Sequence, residues 1–204
     1  MALKNFTENE VNYYKEKYLF VCGSTHPGEE EILIDSFIDL NKENKHLVLA
    51  PRHPERFGEI KELVNKKNLS NILYTEISSN PDIKSDVTIV DVIGRLLDFY
   101  EIADCVFIGG TLVDHGGQNF LEPAFFNKPI ISGRSTYNFD EISKKLSDLG
   151  LLKFVSNKDE ISSVVENIEA ISDSLKKDTN LWLNENRGAS KFISKKVCKE
   201  FNLI

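Results

Sequence analysis

An α/β fold built on one doubly wound parallel sheet is what this sequence predicts, and three observations predict it. Short β-branched or aromatic runs recur at 18–23, 46–50, 71–77, 86–90, 104–108, 129–132 and 151–155, which implies six or seven strands. Helical stretches alternate with them along the chain. The runs are apolar on both faces, as strands are when right-handed βαβ crossovers lay helices over both sides of a parallel sheet. A length of 204 residues admits one large domain or two small ones. No repeat, low-complexity tract or Pro/Gly-rich linker marks an internal boundary, so 18–204 reads as one domain, and the charged, weakly patterned residues 1–17 read as a leader helix or linker remnant.

Taken in order, the first strand leads into a helix over 29–40, where Ile32, Leu33, Phe37, Ile38 and Leu40 repeat near 3.6 and bury one stripe. After the second strand, Pro54 pre-sets a helix start. Gly94 begins the helix that follows strand 86–90, and that helix ends near Tyr100 to Asp104. Pro123 disfavours helix at Glu122, which makes Glu122 the cap and Pro123 the first helical residue of the next one. Ser156 with Asp159 reads as a helix start, with Ile161, Val164, Val165, Ile168, Ile171 and Leu175 repeating at three and four. Another helix follows from about residue 180 to the end.

Composition narrows the function. Hydrophobic residues at 41% and charged residues at 28% are the mix of a folding soluble chain. Lys plus Arg is 25 against Asp plus Glu 32, so the net charge of −7 lacks the surplus that neutralises a nucleic-acid backbone. A local cationic pocket for a small anion stays compatible with it. Cys22, Cys105 and Cys198 are an odd count without C-x-x-C spacing, which suggests neither disulfide framework nor zinc site and fits a reducing compartment. His26, His46, His53 and His115 have no metal-ligand spacing, so no metal and no cofactor is expected. The longest apolar runs fall far short of the roughly 20 residues that span a bilayer, and the chain reads as soluble and cytoplasmic.

Ligands of open parallel sheets collect outside the carboxyl ends of the strands, where loops and helix N-termini meet anions. After the first strand stands Gly23-Ser24-Thr25-His26-Pro27-Gly28-Glu29, a turn that either holds an anionic group or lets Ser24 or Thr25 cap the next helix, with Glu29 to Glu31 favouring its dipole. After the second stands Pro51-Arg52-His53-Pro54-Glu55-Arg56, where the Arg52 guanidinium suits a phosphate or carboxylate, or else pairs with Glu55 or Glu59. Four of the 11 glycines, Gly109, Gly110, Gly116 and Gly117, fall within nine positions after the strand at 104–108, and backbone there must take positive φ or lie against a ligand. A carboxylate at Glu122 can accept from ribose hydroxyls, or cap its helix in a capping-box spacing with Asn119. No Gly-x-Ser-x-Gly elbow, Walker loop or Gly-x-Gly-x-x-Gly fingerprint occurs.

Together Gly23-Ser24-Thr25-His26-Pro27-Gly28-Glu29-Glu30, Pro51 to Arg56, Gly109-Gly110-Thr111, Gly116 to Pro123 and Tyr137-Asn138-Phe139-Asp140 resemble the C-terminal half of the 3-deoxy-D-manno-octulosonic acid (Kdo) transferases. The likeness runs in order from about Tyr18 to the segment that begins at Asn186. It implies a GT-B glycosyltransferase, two Rossmann-like domains facing a cleft, that moves Kdo from CMP-Kdo to a lipid A precursor with inversion and without a metal. By that likeness CMP lies against Pro51 and Arg52, against Ile93, Gly94 and Arg95, and against Asn119, Phe120, Leu121 and Glu122. Ser24 and His26 are expected at the donor's sugar or phosphate, with Arg56 and Thr111 beside them. Gln118 stands where the family usually carries His, and Arg95 where a carboxylate is common. The family's general base, membrane anchor and acceptor surface belong to an N-terminal domain that nothing before Tyr18 supplies, so the chain is expected to bind CMP or CMP-Kdo without turnover, and to meet a lipid A precursor only through that other domain. Full-length members are expected at the cytoplasmic face of the inner membrane. The alternatives are a non-catalytic nucleotide-binding or assembly module, and a UDP-sugar-using GT-B relative.

Overall fold

The computed structural model describes residues 5–80, 82–168 and 171–186. Along the chain run α1 (Glu8–Tyr14), β1 (Tyr18–Thr25), α2 (Glu29–Asp39), β2 (Lys45–Pro51), a 3-10 turn (Pro54–Arg56), α3 (Phe57–Lys66), β3 (Asn71–Leu73), α4 (Tyr74–Ile77), β4 (Val87–Ile89) and α5 (Leu96–Ile102). Then come β5 (Cys105–Ile108), α6 (Leu121–Phe125), β6 (Ile130–Ser132), α7 (Asp140–Leu149), β7 (Leu152–Phe154), α8 (Lys158–Glu166) and α9 (Asp173–Glu185).

All seven strands join one sheet in the order β3-β4-β2-β1-β5-β6-β7, and every pairing is parallel. The central strands are apolar on both faces because successive side chains alternate sides. Val21, Val48 and Val106 enter one core, with Phe99, Ala124 and Leu146 from α5, α6 and α7. Phe20, Cys22, Leu47, Leu49 and Phe107 enter the other, beneath Leu33, Ile60 and Ile161 from α2, α3 and α8. The chain grows outward from β1 to β2 on one side and returns to add β5 on the other, so the exits of β1 and β5 flank the point where the winding reverses.

Four expectations are corrected. The run at 71–77 pairs as a strand only to Leu73; Tyr74 and Ile77 are buried three apart, and that spacing turns the backbone into α4. The long repeat from Ile161 to Leu175 is two helices: α8 starts on Asn157, whose side chain accepts from Glu160 N, and α9 restarts on Ser172, which accepts from Leu175 N. Phe120, and not Glu122, is the N-cap of α6, so Glu122 lies in its first turn and Pro123 third, a position where a missing N–H costs nothing. The helix expected from about residue 180 begins earlier, in α9; residues 187–204, with Cys198, lie outside the described residues. Cys22 and Cys105 are buried free thiols.

The segment before β1 packs into the fold. Thr7 and Glu10 form a reciprocal cap at the start of α1, and Tyr13 and Tyr14 are buried against Tyr74, Phe99 and His46. His46 is itself 1% exposed, donating from Nδ1 to the Ser85 carbonyl at 3.0 Å and facing Thr88 Oγ1 at 2.8 Å. Burial first, and the Lys17 ammonium second, push it down to about 3. Among the described residues no helix is long and apolar enough to cross a membrane.

Candidate functional site

The exits of β1 and β5 are built from backbone before any side chain faces outward. Ser24 sits at φ 56, in the left-handed region, and the ladder to β2 slips between Gly23 and Thr25. Gly109 N donates to Gly23 O at 2.8 Å, and a Cβ on Gly109 would run into the Ser24 carbonyl, so only glycine lets the two exits press together. Gly110, Gly116 and Gly117 all have positive φ, which answers the expectation read from their clustering.

One carboxylate ties these turns together. Glu29 is fully buried, its Oε2 accepting from His26 N at 2.9 Å and Gly110 N at 2.7 Å, its Oε1 from Thr111 N and Leu112 N at 3.0 Å each. Four converging N–H groups form an anion nest, and the protein fills it with its own side chain. Neither Ser24 nor Thr25 caps α2, as one reading of the turn had it; the N-cap is Gly28, without a side-chain bond, and the Thr25 hydroxyl donates to Glu30 at 3.0 Å.

Beside β1 and β2 lies a cavity of about 150 Å³ lined by Ser24, Pro51, Arg52, Ile93 and Gly94 over a floor of Ala50, Val90, Val92 and Leu96. Five of the residues expected at the ligand therefore share one crevice. Arg52 is exposed and has no ion-pair partner among the described residues, because Glu55 and Glu59 pair with His53 and Arg56. Ile93 stands 87% exposed at the rim. His26, two residues past Ser24, has its ring stacked on His115 at 4.3 Å between centroids and 22° between planes, with Gln118 Nε2 3.5 Å from its Nε2. Burial, then the neighbouring His115, His53, Arg52 and Arg56, hold His26 below its usual range.

The remaining expected residues are placed differently. Asn119 and Glu122 stand outside the crevice lining, the Asn119 Nδ2 donating a hydrogen bond to Glu122 Oε1 at 3.0 Å. Burial above all, then the charge of Glu122, raises the Tyr100 phenol that lies under Gly23. Phe120 is fully buried and edges onto Phe139, so it supports the loop from within; Leu121 is half-buried, its N–H donating to Asn119 Oδ1. Arg56 spends its guanidinium on Glu30 at 2.9 Å and Glu59 at 3.1 Å. Thr111 is 2% exposed, its hydroxyl donating to Ile108 O and accepting from Gly133 N, which staples β5 to β6. Arg95 turns away to Asn5 O at 2.7 Å and Asp98 at 2.9 Å, so its side chain braces the N-terminal segment and not the crevice.

Sequence reasoning missed Glu29 as the tie and His115 as the partner of His26. The signal for Glu29 was available: Glu29 and Glu30 fall on the stripe of Leu33, Ile34 and Phe37, which points them inward.

No family model matches the chain. It is 34% identical over 211 aligned positions, all of this chain, to a "Bifunctional glycosyltransferase/methyltransferase" of Fusobacterium nucleatum, of which it covers 32%. It is 36% identical over 181 positions to the 3-deoxy-D-manno-octulosonic acid transferase of Haemophilus influenzae, covering 86% of this chain and 42% of that protein. The chain thus spans only part of the curated relatives it matches, from 29% to 43% of their length. Among solved structures, the C-terminal CMP-Kdo binding domain of WaaA from Acinetobacter baumannii shares the fold at a TM-score of 0.65 and 24% identity, over 89% of this chain and 88% of that one. The likeness to the C-terminal half of the Kdo transferases read from the loops is borne out.

Proposed function

We propose, from this kinship with the Kdo transferases, that the chain is the donor-binding half of such an enzyme, holding CMP-Kdo while the sugar passes to a lipid A precursor in lipopolysaccharide synthesis at the cytoplasmic face of the inner membrane. The observation that carries the reading is the crevice of Ser24, Pro51, Arg52, Ile93 and Gly94 at the carboxyl edge of the sheet, with a guanidinium on its wall that no carboxylate among the described residues pairs with. In this reading the nucleoside lies between Pro51 and the Ile93-Gly94 turn, Arg52 meets the phosphate, and Glu122 with Asn119 accepts from the ribose across the β1 exit. Inverting transfer needs a base for the acceptor hydroxyl and a partner for the leaving phosphate. Arg52 is the partner. The base comes from the other half of the GT-B pair, so this chain binds the donor and does not turn it over alone.

Calorimetric titration with CMP tests this. The native chain binds CMP in preference to UDP. Removing a charge-assisted bond worth about 1.5–3 kcal/mol, Arg52→Ala weakens CMP by about 10- to 100-fold. Glu122→Ala weakens it less. No heat with CMP, tighter binding of UDP, or unchanged affinity in both variants would overturn the assignment.

A further inference from the structure

Three of the four histidines gather where the loops of β1, β2 and β5 meet, while His46 is buried under α1. His26 and His115 lie face to face at 4.3 Å. Gly110, at φ 72, makes the stack possible: a Cβ there would come within 3.3 Å of both His115 Cβ and His26 Cδ2. The groups whose charge bears on His26 are His115, His53, Arg52 and Arg56, all basic. The carboxylates of the same elements are engaged elsewhere. Glu29 is met by four N–H groups, Glu30 by Arg56 and Thr25, Glu55 by His53 and Glu59 by Arg56. Asp114, beside His115, accepts from the Ser135 hydroxyl at 3.2 Å. In a chain of net charge −7 this corner is short of anions.

The backbone nest of Gly110, Thr111 and Leu112 is closed to an outside anion, since Glu29 fills it. An anionic ligand beside that nest is met by the basic side chains around it. A nucleotide-linked sugar acid carries two anions, a phosphodiester and a carboxylate. Arg52 lines the crevice and suits the first. We propose that the stacked imidazoles of His26 and His115 bind the second, the carboxylate of the donor's sugar acid, and take up one proton as they do so.

This rests on the donor-binding reading above and adds to it a residue, His115, and a proton. A phosphodiester and a sugar carboxylate both stay ionised near neutrality, so any proton taken up on binding goes to an imidazole. The sign follows. A bound anion raises the imidazole pKa, so affinity climbs as pH falls through neutrality and levels off once the ring is protonated in the free protein, with a slope of at most about tenfold per pH unit.

The test is calorimetry of CMP-Kdo and of CMP across that range, in buffers of differing ionisation enthalpy. For the native chain, CMP-Kdo binding takes up a proton and weakens by up to about tenfold per unit of rising pH. His115→Phe preserves a ring to stack on His26 but removes one imidazole of the pair, so it reduces the proton uptake and weakens CMP-Kdo while sparing CMP. His115→Lys restores CMP-Kdo affinity and flattens its pH dependence, which a packing role alone would not do. Because CMP's own monoester titrates, its arm is read as the difference between native chain and variant. CMP-Kdo binding in His115→Phe with native affinity and native proton uptake overturns the proposal while the donor reading stands; failure of both ligands to bind overturns the two together.

Discussion

Glu29 is buried with a negative charge, and it is tolerated there because four N–H groups meet it. Glu29→Gln keeps the shape but offers one acceptor oxygen, which leaves at least two of those donors unsatisfied. At about 1–3 kcal/mol for each, the variant loses about 2–6 kcal/mol of stability, read as a lower urea midpoint, and it loses CMP affinity as the β1 and β5 turns separate. Arg52→Ala behaves the opposite way: its guanidinium is exposed and has no ion-pair partner among the described residues, so the midpoint stays put while CMP affinity falls. A Glu29→Gln chain as stable as the native one would mean the nest is satisfied by water. The contrast also explains what the sequence made legible. Arg52, Ser24 and Gly94 stand at strand exits or turns, where residue type alone suggests a ligand role. Arg56, Arg95 and Thr111 have equally suitable chemistry but are consumed by Glu30, by Asn5 and Asp98, and by Ile108 and Gly133, partners distant in sequence that no local pattern announces.

Elements were legible where their period was strong and their ends were not. Each of the seven runs holds a strand, but β1 and β2 extend past the runs at 18–23 and 46–50, the 71–77 run breaks into β3 and α4, and the 161–175 repeat breaks at residue 167, because apolar spacing records burial and carries no mark of where the chain turns. The contact between α1 and β2 was not legible at all, since it joins Tyr13 and Tyr14 to His46, more than thirty residues on. That contact sets an acid limit on stability. His46 stays neutral in the fold down to about 3, whereas in the unfolded chain it protonates near 6.5. Between those values the unfolded state binds the extra proton, so stability is full above about pH 6.5 and falls as pH drops through the window, by up to about 1.4 kcal/mol per unit. Urea unfolding at pH 5 should show about 2 kcal/mol less stability than at pH 7, and His46→Gln should shrink that difference. Parallel pH profiles for the two proteins would move the acid sensitivity to another group.

At the scale of the molecule, alternation of strands and helices predicted a parallel doubly wound sheet, and the sheet is that; the strand order was beyond reach, because β4 inserts between β2 and β3 through pairings that only the folded backbone defines. The N-terminal segment tests how far the cooperative unit extends. Read from composition, 1–17 is a leader or linker; in the fold Phe6, Tyr13 and Tyr14 join the core on the face of Val21 and Val106, and Arg95 is held by the Asn5 carbonyl. If α1 belongs to the unit, deleting residues 1–17 strips two buried tyrosines from Tyr74, Phe99 and His46 and leaves their apolar faces in water. At about 1.5–3 kcal/mol for each large side chain, the loss of about 3–6 kcal/mol lowers the melting temperature by about 6–24 °C for a chain of this size. Since Arg95 adjoins Gly94 at the crevice, CMP affinity falls in the same variant. A truncated chain that melts where the native one does, and binds CMP as well, would make α1 an appendage resting on a core complete without it.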